Sequence, residues 1–279
     1  GDYSEAFAAF YEMYMAAAEG GDLSAMAISP EFSRGIYALE KRLQAGGKKL
    51  PFVKVQTTGP CSFALTLVDE NKRAIYYNEE FLDVIVKALA LKCRWQIRKF
   101  KPFADRIICF IDEPILSAFG SSTYVSVKRE DVVARVGEVV EAVHAEGGLA
   151  GVHCCGNTEW SILIDAGVDI VNFDAFGFGD TIAMYADAVR KYLCKGGALA
   201  WGIVPTSAAI REQTADTLAD KLEKTMDHLS SKEIDKALIV QQAMLTPSCG
   251  TGSLDPADAL KVFETLALLT GKMKARYRV

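Results

Sequence analysis

The chain has 279 residues, 50% of them hydrophobic and 24% charged, which is the balance of an ordinary globular protein with a large core. A formal net charge of −5 with interleaved signs leaves no basic footprint for nucleic acid. No apolar stretch reaches the roughly 18 consecutive residues of a membrane helix and no signal peptide opens the sequence, so a cytoplasmic protein without a membrane partner is expected.

The seven cysteines, Cys61, Cys93, Cys109, Cys154, Cys155, Cys194 and Cys249, are odd in number and do not read as a disulfide framework. Cys93, Cys109 and Cys194, each inside an apolar or helical run, read as buried small hydrophobes.

In chain order, the opening GDYSEAFAAFYEMYMAAAEG predicts a helix, and a second follows near SPEFSRGIYALEKRL. FVKVQTTGP (52–60) reads as a strand, and 79–100 as a long amphipathic helix. A strand at 106–114 and a helix at 129–148 come next, then strands at 149–156, 169–176 and 198–205. A helix at 216–230, a strand within ALIVQQAMLTPSCG (237–250) and a helix at 255–277 close the chain. His144 and His228 fall inside helices and read as surface or core residues rather than ligands.

Strands separated by crossover helices predict an α/β protein with a parallel sheet. Polar and reactive residues end nearly every strand, which favours a (β/α)8 TIM barrel over a doubly wound sheet with one switch point. The expected layout is a single domain over 1–279, with a helical segment at 1–48 and barrel elements over 49–279. About six βα units are visible where a closed barrel needs eight. Either two short strands are hidden or the leading units are absent, and the sequence reads as beginning partway into a longer product.

The chemistry concentrates in GVHCCGNTEW (151–160). Residues two apart on a strand share a face, so His153 and Cys155 project together while Cys154 turns away. An imidazole beside a thiolate is a ready pair of zinc ligands. Cys249, in TPSCGTGS at the end of the last strand, reads either as a plain loop thiol or, on the same rim of a barrel, as the residue completing three N/S ligands with one position open, the catalytic form of a zinc site. Asp174 ends the next strand in VNFDAF with Asn172 on its face; the acid reads as a fourth ligand, as a partner orienting His153, or as a helix cap. In FIDEP, Asp112 and Glu113 point to opposite faces, one toward a substrate as ammonium ligand or general base and the other into the surrounding layer. QTTGP (56–60) reads either as a pocket-lining strand exit or as a plain turn. One His and two thiolates suit a soft site that activates a thiol.

H-x-C on one strand, an acid ending the next and a final Cys-Gly resemble the catalytic C-terminal barrel of cobalamin-independent methionine synthase. FIDEP is similar to that family's I-D-E-P-A segment, and HCCGN resembles the H-x-C-G-N of the corrinoid methyltransferases in the uroporphyrinogen decarboxylase superfamily. The likeness runs from about residue 50 onward. It implies zinc on His153, Cys155 and Cys249, with Asp174 where methionine synthases place a Glu, and Asp112 at the position that contacts the amino group of homocysteine. Asp112 and Asp174 are thus the candidate catalytic residues, with Asp112, Glu113 and Asn172 as candidate substrate contacts.

The function expected is zinc-dependent transfer of a methyl group to a small thiol such as homocysteine. The absence of the folate enzyme's N-terminal domain points to a methyl-corrinoid protein or methylcobalamin as donor. Two rivals stay open: a uroporphyrinogen-decarboxylase-like lyase, which calls for carboxylate-binding arginines, and a metal- or thiol-binding module without turnover.

Overall fold

A computed structural model describes every residue except Gly1, Gly20 and Val279. Six strands form one sheet in chain order: β1 (Leu50–Thr58), β2 (Ala104–Asp112), β3 (Leu149–Cys154), β4 (Ile170–Phe173), β5 (Ala198–Val204) and β6 (Ala243–Pro247). The pairs β1–β2, β4–β5 and β5–β6 are parallel. This is the expected α/β class, and six parallel strands in sequential order are consistent with part of a (β/α)8 barrel. Among the described residues the sheet has six strands, so no hidden pair brings the count to eight.

The helices are α1 (Ser4–Ala18), α2 (Arg34–Gly46), α3 (Pro60–Thr66), α4 (Glu79–Phe100), α5 (Arg129–Ala145) and α6 (Trp160–Asp165). They continue with α7 (Ala175–Phe178), α8 (Ala186–Cys194), α9 (Ala215–Ser230), α10 (Lys236–Gln241) and α11 (Pro256–Tyr277). The long amphipathic segments fall where periodicity predicts them. None of the helices among the described residues is long and apolar enough to cross a membrane.

The chain divides into two compact units: one of Gly1–Ile115, Val125–Val152 and Ala166–Val168, the other of Leu116–Tyr124, His153–Asp165 and Asp169–Val279. In the first, α4 buries Leu82, Val86, Leu89, Cys93, Ile97 and Phe100, and contacts β1, β2 and α5. α5 contributes Val132, Val136, Val139, Val140 and Val143, all buried. Spacings of three and four residues place each set on one helical stripe, and each side chain so buried contributes roughly 1.5–3 kcal/mol. In the second unit, buried Trp160, Phe173 and Trp201 pack in series with tilted rings, their centroids 5.5 and 5.2 Å apart. α9 opens with a reciprocal Thr214/Thr217 cap and buries Leu218, Leu222, Met226 and Leu229.

Three boundaries differ from expectation. The run at 237–250 is a helical turn followed by a five-residue strand, because Asp235 caps α10 by accepting from Ala237 N at 2.9 Å. A four-residue apolar run carries no period that separates helix from strand. β4 stops at Phe173 because Asp174 starts α7. β3 stops at Cys154, which leaves Cys155 in the following bend. The buried-hydrophobe reading holds for Cys93 and Cys109 and fails for Cys194, which is exposed at the end of α8.

Gly202 sets the geometry of the β6 end. A Cβ there would stand 2.5 Å from Phe173 O and 2.9 Å from Ser248 Cα, so only glycine allows these backbones to close on β5. The register shifts between Gly202 and Val204, and Ser248 N then donates to Val204 O at 2.8 Å, fixing the residue before Cys249. Gly202→Ala is expected to cost roughly 1–3 kcal/mol by overpacking, read by thermal unfolding.

Candidate metal centre

His153, Cys155 and Cys249 converge in the second unit: one ligand atom from each lies within 4.8 Å of the others. Two sulfurs bound about 2.3 Å from one tetrahedral ion stand about 3.8 Å apart, so small side-chain movements would close this set on a metal. β3 supplies His153, the bend after it Cys155, and the segment after β6 Cys249. The imidazole and Cys155 are partly buried, and Cys249 is exposed. Cys154 turns to the opposite side and is fully buried, as strand alternation requires.

The imidazole is held from behind. His153 Nδ1 lies 2.6 Å from Asn172 Oδ1 on β4, while Asn172 Nδ2 donates to Ala200 O at 2.8 Å and to Thr246 Oγ1 at 2.9 Å. Because the amide NH2 is committed to a carbonyl on β5, its oxygen faces the ring. Nδ1 therefore carries the proton, and Nε2 presents the lone pair that a metal takes. Both ends of Asn172 are engaged within the protein and the residue is buried, so it orients His153 instead of contacting a substrate as the sequence suggested. Asn172→Leu is expected to lower the affinity of a metal at this cluster roughly 10–100-fold in a chelator competition, and Thr246→Val by less. Unchanged affinity in Asn172→Leu would remove this role.

Asp174 stands outside the three-ligand cluster. Its Oδ1 accepts from Gly177 N at 2.8 Å, capping α7, which is the capping alternative of the three open in sequence. Burial pushes its carboxyl upward, against backbone N–H groups of Gly177 and Phe176 and the nearby Lys221 and His153 charges. The Cys155 thiol is also pushed up, first by burial and then by Cys249 and Asp174 beside it. A bound dication reverses that balance and favours the thiolate.

Asp112 and Glu113 belong to the first unit. Asp112 ends β2, half-buried, in register with Thr58. Glu113 is fully buried: Oε1 accepts from Cys61 N at 2.9 Å, and Oε2 accepts from Ser62 N and Ser62 Oγ, both at 2.7 Å. These bonds commit the carboxylate to the first turn of α3, so its expected contact with substrate is replaced by an anchoring role. QTTGP accordingly leads into that helix. Sequence reasoning missed Ser62 and Thr246; a hydroxyl alone carries no sign of which distant residue it will meet.

The chain is thus a parallel α/β protein carrying a His/Cys/Cys cluster at the C-terminal ends of its strands. No protein-family model matches it, and no curated protein does. Among solved structures, a methyltransferase from Methanosarcina mazei has the same fold, with a TM-score of 0.57 and 16% sequence identity. The match covers 87% of this chain and 64% of that one, so this chain spans less than two-thirds of its neighbour's length.

Proposed function

We propose that this protein is a zinc-dependent methyltransferase whose acceptor is a small thiol such as homocysteine and whose donor is a methyl-corrinoid. The observation that carries the reading is the convergence of His153, Cys155 and Cys249. Two thiols and one imidazole form a soft donor set suited to zinc, with a fourth position left for an exchangeable ligand. The shared fold of the Methanosarcina mazei methyltransferase supports the reaction class.

Zinc held there would supply the Lewis acidity that lets an acceptor thiol lose its proton at neutral pH. His153 is oriented by Asn172, which supports Nε2 as the ligand atom, and Asp174 caps α7 through Oδ1, which supports leaving the fourth place to the acceptor. With a methyl-corrinoid as donor, the acceptor sulfur would take the methyl group, the bonding electron pair would stay with the donor, and the thiol proton would go to solvent. For Asp112 the likeness to methionine synthase implies a role in meeting an ammonium group, and that role is kept as a proposal.

The test is metal content of untagged protein purified without chelator, followed by methylcobalamin demethylation in the presence of candidate thiols. About one zinc per chain, lost in Cys155→Ser, with thiol-dependent loss of the methylcobalamin spectrum, is the expected result. Zinc binding with no transfer to any thiol would leave a binding module instead.

A further inference from the structure

In the first unit, β1 has one face open to water. Val53 and Val55 are buried, whereas Phe52, Lys54, Gln56 and Thr58, which alternate with them, are exposed. A strand in a parallel sheet ordinarily has both faces covered, so an open one lined with polar side chains is available to a ligand.

This face is ordered in detail. Lys54 Nζ donates to Gln56 Oε1 at 2.6 Å and stands 4.6 Å above the Phe110 ring centroid. Phe110 occupies its place because Gly151 has no side chain; a Cβ there would come within 2.1 Å of the ring. Desolvation by surrounding protein atoms lowers the Lys54 pKa, and the nearby Asp112 charge acts in the opposite sense. A surface lysine of no function is usually a mobile, hydrated chain, whereas this ammonium is aimed by an amide and an aromatic face.

We propose that Lys54, aimed by Gln56 and Phe110, receives the acid group of a small organic acid on the open face of β1. This goes beyond the preceding reading and does not depend on it. Asp112, in register at the end of β2, suits an ammonium group on the same molecule.

The experiment is saturation-transfer NMR on chelator-treated protein with three thiol-free probes, butyrate, propane-1-sulfonate and 2-aminobutyrate, and with butanol as the uncharged control. At about 10 mM, a concentration that detects millimolar affinities, at least one acid is expected to bind and butanol not. Lys54→Met is expected to weaken binding at least tenfold, Lys54→Arg to retain it within a few-fold, and Cys194→Ser to leave it unchanged. Preference for 2-aminobutyrate would identify an amino acid, and preference for propane-1-sulfonate a sulfonate; either supports the site. Binding by no acid, or equal binding in Lys54→Met, overturns it. Because the protein is metal-free, failure of the zinc reading leaves this result standing, and the reverse holds as well.

Discussion

Cys249→Ser is expected to abolish tight zinc binding while leaving the fold intact. The residue is exposed and follows β6, so replacing its sulfur by oxygen removes no core packing. The loss falls on the metal. A four-ligand zinc site is worth about 10–16 kcal/mol in apparent binding energy, so one thiolate carries about 3 kcal/mol, or roughly two orders of magnitude in affinity. His153 and Cys155 alone would hold the ion no better than many surface pairs. Chelator competition should show the drop, and circular dichroism should overlay on the wild type. Full zinc occupancy in the variant would sink the assignment of this ligand. Cys194→Ser, exposed but far along the chain at the end of α8, is the control and should bind zinc normally.

The second large effect is expected at Glu113. Pro60 opens α3 without an N–H, and the next two backbone donors, Cys61 and Ser62, are satisfied by a carboxylate about fifty residues away in sequence. The Ser62 hydroxyl joins the set, donating to Glu113 and accepting from Ile115 N at 3.2 Å. Glu113→Gln puts an amide NH2 against one of those donors and leaves a buried N–H unpaired, a cost of roughly 1–3 kcal/mol per orphaned group. Glu113→Ala adds a cavity and should cost more.

Burial pushes the Glu113 carboxyl up to about 7 from its ordinary 4.5, against the pull of the Ser62 and Cys61 donors. A folded-state value above the unfolded one means that the folded chain holds this proton more tightly. The contribution is therefore fully present below about pH 4.5 and is lost as pH rises to about 7, by roughly 3 kcal/mol in the limit. The protonated acid still offers a lone pair to Cys61 N, which an amide nitrogen does not. Urea unfolding of wild type and Glu113→Gln at pH 5 and pH 8 should show the variant's deficit shrinking at the higher pH. Parallel pH profiles for the two proteins would show that Glu113 does not titrate in this window.

The amphipathic helices and the strand cores were legible in sequence because burial imposes a period that does not depend on the rest of the fold. α4, α5, α9 and α11 lie within a few residues of their expected bounds. H-x-C was legible as a ligand pair for a related reason: residues two apart meet through local geometry, even though Cys155 lies just past the strand. Local sequence could not decide that 236–241 would be helical, since its short apolar run fits both periods and Asp235 tips the balance by capping. Nor could it choose among the roles open to Asp174 or separate Asn172 from a substrate contact, because a polar side chain's role depends on which distant groups meet it. Tertiary structure decided these by bringing Ala200 and Thr246 to the Asn172 amide, and Cys61 and Ser62 to Glu113. Residue type and spacing determined which atoms were available for chemistry; long-range packing decided which of them are spent on holding the protein together and which are aimed at a ligand.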